Sequence, residues 1–137
     1  MFLEFIRLIN KKRTLYINHY IDDSLEKYYG KINHHIKVPQ RNATSVYQNV
    51  LDQLGDIDGG TFDQIILSAG NLSRVIAKDL WCMFPEKNVF DIGSTTDVLV
   101  SNTPIFSRLS IRSHIRNNMN LIKERLNYFN NALEEDV

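Results

Sequence analysis

The sequence predicts an α/β domain with about four parallel strands in three layers, followed by a long helical segment at the C-terminal end. Three observations carry this. Short β-prone runs alternate with helix-like segments through the first hundred or so positions. One run, Ile65-Ile66-Leu67, is apolar without interruption, as expected of a strand covered on both faces. Glycine and proline punctuate the junctions, at Gly30, Pro39, Gly55, Gly70, Pro85 and Gly93. Strands that alternate with helices predict parallel pairing through crossover connections, a Rossmann-like arrangement closer to half of a doubly wound sheet than to a complete one.

The elements follow in order. Residues 1–11 (MFLEFIRLINK) form an amphipathic helix, either packed on the body of the domain or presented to a membrane surface or partner. Residues 13–18 (RTLYIN) are the first strand. Asp22, Asp23 and Ser24 offer capping oxygens to a short helix over 25–29, which Gly30 stops. Residues 34–38 (HHIKV) are the second strand, ended by Pro39. Asn42 is placed to cap a helix over 43–54, where Val46, Tyr47, Val50, Leu51 and Leu54 recur at helical spacing. The third strand covers 62–67 and runs into Ser68-Ala69-Gly70-Asn71. A helix over 72–84 should bury Leu72, Val75, Ile76, Leu80 and Met83, with Cys82 in apolar surroundings. Residues 89–92 are the fourth strand and lead into Gly93-Ser94-Thr95-Thr96. Helical spacing resumes over 106–133, with a break expected near Asn117-Asn118. The whole reads as one domain, 1–137: an N-terminal helix (1–11), a β-α core (12–104) and a C-terminal helical region (105–133).

Composition narrows the function classes. The 137 residues are 43% hydrophobic and 23% charged, a globular balance. Sixteen basic side chains match sixteen acidic ones, so no charge excess calls for nucleic acid. Cys82 is the only cysteine, which rules out a disulfide within the chain. The order of apolar and basic residues at the start is wrong for a signal peptide, and no run has the length of a membrane span. The expected location is cytoplasmic.

In open α/β sheets ligands bind beyond the carboxyl ends of the strands, so the loops there are the candidate site. His19 to Ser24 follow the first strand, and His19 stands near two carboxylates, Asp22 and Asp23, as a surface polar cluster or an acid/base or metal site. Ser68, Gly70 and Asn71 lie between the third strand and its helix, whose free N–H groups suit a phosphate or carboxylate. The alternative is that Gly70 serves only a tight turn, with Asn71 or Ser73 as cap. Asp91, Gly93, Ser94 and Thr95 follow the fourth strand. An acid there holds a hydroxyl-rich ligand or braces its own loop. His34 and His35 point to opposite faces of a strand and make a poor metal pair. No phosphate-binding or nucleophile motif of known spacing is present, and no catalytic residue is assigned.

The run FDQIILSAGNLSRVIAKDLWCMFPEKNVFDIGSTTD, over 62–97, resembles the C-terminal half of GT-D-type glycosyltransferases. That family shows an apolar strand, a small-Gly turn, a helix of the form VLAxDLW and a strand ending in DIGS. HHIKVPQRNATSVYQNVLDQL, over 34–54, is similar to its strand-Pro-helix segment, so the resemblance spans about 12–97. It implies transfer of a sugar from a nucleotide donor, a UDP-sugar foremost, to a glycan acceptor. It also implies a divalent cation, manganese or magnesium, held by a DGE motif. This chain lacks DGE. Its nearest string, Asp58-Gly59-Gly60, has no glutamate and stands elsewhere, so no metal ligands are assigned. Two further readings stay open: a non-catalytic interaction module that pairs with a partner chain or a second copy, and a generic nucleotide-binding domain.

Overall fold

The structure is a computed structural model that describes residues 2–99 and 119–135. It contains one four-stranded sheet in the order β2-β1-β3-β4. The strands are β1 (Arg13–Asn18), β2 (Lys31–Lys37), β3 (Gln64–Ser68) and β4 (Asn88–Asp91). Every pairing is parallel. The predicted α/β class is therefore the observed one. β1 and β3 form the centre, and their side chains from Leu15 to Ile17 and from Ile65 to Leu67 have no solvent exposure. That burial on both faces is why these runs lack the polar alternation of a half-exposed strand.

Two helical layers cover the sheet. On one face α3 (Tyr47–Gly55) and α4 (Asn71–Met83) bury Val50, Leu54, Leu72, Ile76 and Leu80 against Leu15, Ile17, Ile65 and Leu67. The other face carries α1 (Phe2–Ile9), α2 (Glu26–Tyr29), α5 (Thr95–Leu99) and α6 (Met119–Glu134). These pack Ile6, Leu25, Tyr28, Tyr29, Leu99 and Leu126 around Tyr16 and Ile66. The connection from β1 to β2 moves one way along the sheet through α2. The connection from β2 to β3 moves back through α3, on the other face. A constant crossover hand requires that switch of face when direction reverses.

The amino ends of the strands are closed by a buried amide. Gln64 Nε2 donates to the carbonyl of Ile9 at 2.8 Å, to Thr14 Oγ1 at 2.9 Å and to the carbonyl of Tyr29 at 3.2 Å. One side chain thus ties α1, α2 and the sheet together. At the same edge Arg13 grips Asp63 through Nε and one terminal guanidinium nitrogen. Among the described residues, no helix is long and apolar enough to cross a membrane.

Several local expectations change. Asp22 caps as predicted, accepting the N–H of Ser24 at 2.8 Å. The Asn42 side chain does not: the residue takes the left-handed conformation (φ 54°) and its amide makes no capping bond, and a 3-10 turn (Ala43–Val46) precedes α3. In α4 the buried stripe is Leu72, Ser73, Ile76 and Leu80, while Val75 and Met83 are exposed. Cys82 is exposed too. Six positions beyond Ile76 is over one and a half turns, which carries it to the outer side of the helix. The expected break near Asn117-Asn118 and the helix over 106–118 lie outside the described residues. His34 and His35 do part to opposite faces, His34 against Phe62 and His35 stacked on Tyr16.

Candidate functional site

A cleft of about 540 Å³ opens beyond the carboxyl ends of all four strands. The strand order reverses between β1 and β3, and the loops after them diverge there to leave a crevice. Of the residues singled out from the sequence, Ser68, Gly70, Asn71, Asp91, Gly93 and Ser94 line the cleft. Thr95 does not; it begins α5, with its N–H bonded to the carbonyl of Ile92 at 3.1 Å.

The loop after β3 is built by its glycine. Gly70 has φ 56° and ψ −131°, the geometry of the first central residue of a type II′ turn. The Leu72 N–H closes that turn on the Ala69 carbonyl at 3.2 Å. Ser73 Oγ accepts the N–H of Ala69 at 3.0 Å, so the buried serine braces the turn from within. A Cβ built at Gly70 meets nothing within 4 Å, so the backbone here faces open cleft. The first turn of α4 lies directly behind it.

The loop after β4 is held by two bonds. Asp91 Oδ1 accepts the N–H of Gly93 at 3.1 Å, and Ser68 Oγ donates to the Gly93 carbonyl at 2.6 Å. Asp91 is therefore a brace of its own turn that still presents its carboxylate to solvent. The Ser68 hydroxyl proton is spent joining two loops, which leaves its oxygen as an acceptor.

The lining residues not singled out as a site from the sequence include Val38, Pro39, Gln40 and Arg41 after β2, and Arg74 in α4. Both arginines are exposed, and neither forms an ion pair among the described residues. The cleft is polar in a directed way. Arg41 stands after the edge strand β2, Arg74 and the α4 amino end follow β3, and Asp91 and Asp97 stand at the β4 side. Cationic and N–H groups thus occupy one part of the width and carboxylates the other.

His19, which follows β1, lines the cleft between the β2 and β3 sides. It is not clustered with Asp22 and Asp23 as a metal or acid/base group; its ring lies against Tyr20 and its nearby charges are Asp97 and Lys37. Burial holds its pKa below the ordinary histidine value, against the raising influence of Asp97. Beneath the cleft Thr96 Oγ1 bonds both Tyr16 OH, at 3.2 Å, and Tyr29 OH, at 2.7 Å. Burial pushes the Tyr16 phenol up to about 12, so these hydroxyls stay neutral and serve as struts.

The implied divalent cation has no ready seat. Among the described residues no three His, Cys, Asp or Glu side chains gather as a metal site. The cleft's carboxylates are Asp91, with one oxygen committed to the Gly93 N–H, and Asp97. Two carboxylates at most, one of them with a single open oxygen, in a cleft that already holds two guanidiniums without ion-pair partners among the described residues, fit such an ion poorly.

Comparison with models of protein families, with curated proteins and with solved structures finds no match.

Proposed function

We propose that the cleft binds a sugar nucleotide, a UDP-sugar foremost, and that the chain is a donor-binding domain of a glycosyltransferase serving a glycan acceptor in the cytoplasm. One observation carries this: the cleft is polarised across its width at the switch point of the sheet. Arg41, Arg74 and the amino end of α4 suit a diphosphate, because a guanidinium fork matches phosphate oxygens and the positive end of the helix dipole lies beside it. Asp91, Ser94 and Asp97 suit the hydroxyls of a sugar or ribose as hydrogen-bond acceptors. About 540 Å³ lies within the range of small-ligand clefts.

Titration of UDP-glucose, UDP, ATP and NAD into the folded chain tests the reading. UDP-glucose and UDP should bind in preference to the other two. Preference for ATP or NAD would support the generic nucleotide-binding domain instead, and no binding of any of them would overturn a nucleotide site.

A second reading has its own observation. Trp81 is 72% exposed, and Val75 and Met83 on the same helix are exposed as well. An outer apolar face on α4 suits a partner chain or a second copy. Sedimentation of the wild type and of Trp81→Ser decides it: a complex dispersed by the substitution supports the module, and a monomer in both contradicts it.

A further inference from the structure

We propose that the cleft neutralises the diphosphate of its ligand with Arg41 and Arg74, without a divalent cation. This rests on the sugar-nucleotide reading above. A magnesium or manganese ion that bridges a diphosphate is ordinarily held by one or two carboxylates free to face the phosphate oxygens. In this cleft the carboxylates are Asp91 and Asp97. Asp91 gives one oxygen to the N–H of Gly93, in the turn that shapes the cleft wall, and Asp97 has an interaction of its own. Bidentate ligation by Asp91 would compete with the bond that holds its loop, which leaves Oδ2 as its one open oxygen.

Among the described residues, no other part of the chain gathers three ligating side chains. Outside the described residues the sequence offers His114 and Asp136 as its only histidine, cysteine or acidic residues, and no DGE motif stands anywhere in it. The positive charge that a cation would bring is already in the cleft. Arg74 projects from the first turn of α4, beside the backbone N–H groups at that helix end, and Arg41 follows β2. Each of the two guanidiniums can donate to two phosphate oxygens in a fork, and together they would repel a third cation placed among them.

Calorimetry of UDP-glucose binding in excess EDTA, and again with excess magnesium or manganese, tests this with the full chain. The affinity should agree within about twofold between conditions, and Arg41→Ala and Arg74→Ala should each weaken it by about tenfold or more in EDTA. Both arginines are exposed, so the variants should keep the wild-type melting temperature. Binding that appears only with metal, or that metal tightens more than about tenfold, overturns the cation-free site while the sugar-nucleotide reading stands. Unchanged affinity in both arginine variants overturns the role given to the guanidiniums. No binding in either condition overturns the sugar-nucleotide reading and this inference with it.

Discussion

Two glycines separate fold from function at the level of single residues. Gly30 and Gly70 both have positive φ, but their surroundings differ. A Cβ at Gly30 would collide with the carbonyl oxygen of Lys12, whereas one at Gly70 meets open space. Gly70→Ala should therefore cost only backbone strain, on the order of 1 kcal/mol or more. Gly30→Ala should cost distinctly more, because the β1 entry must also shift. Urea unfolding of the two variants checks the order, and equal losses would contradict it. Asp91→Asn is the complementary case. The amide oxygen can still accept the Gly93 N–H, so the melting temperature should hold. Loss of the charged acceptor should weaken UDP-glucose by roughly tenfold, about 1.4 kcal/mol. Unfolding with unchanged affinity would make Asp91 a brace alone.

The short helix α5 is the element on which the cleft wall depends, and it hangs from Thr96. The threonine has no solvent exposure and bonds Tyr16 of β1 and Tyr29 of α2. Thr96→Val keeps the shape and strands the Tyr29 hydroxyl in a buried site, at a cost of about 1–3 kcal/mol. Thermal unfolding should record that loss, and an unchanged midpoint would show that the hydroxyl bonds do not anchor α5. Elements of this kind mark where sequence reading stops. β3 was legible because Ile65 to Leu67 can only be a doubly covered strand, and Gly30 because a chain stop needs its backbone freedom. The run Gly93-Ser94-Thr95-Thr96 reads as a plain loop, since its helical state is secured by two tyrosines far away in sequence. The phase of α4 went astray at Val75, Met83 and Cys82 because a buried serine, Ser73, displaced part of the expected apolar stripe.

For the molecule as a whole, the site was legible in part. Fold class alone sends ligands to the strand carboxyl ends, which is why six of the seven candidates from Ser68 to Thr95 line the cleft. Arg41 and Arg74 were not legible, because no local spacing marks a side chain that matters only through convergence. The same buried architecture sets the response to pH. Burial lowers the pKa of His19 and His35, while their unfolded value is about 6.5. Below that pH the unfolded chain binds more protons, so stability should fall as the solution is acidified through the histidine range. The Arg13 guanidinium holds Asp63 well below the usual carboxylate range, which adds a loss at still lower pH. Urea midpoints should decline from about pH 7.5 to about pH 5.5, and a rise would contradict burial of neutral imidazoles. The most direct test of the central claim is an amide NMR titration with UDP-glucose. The signals of Arg41, Gly70, Asn71, Gly93 and Ser94 should shift together, with those at the opposite end, around Gln64 and Asp63, unmoved. Saturable shifts confined to any other surface, or none at all, would contradict a sugar-nucleotide site at the switch point of the sheet.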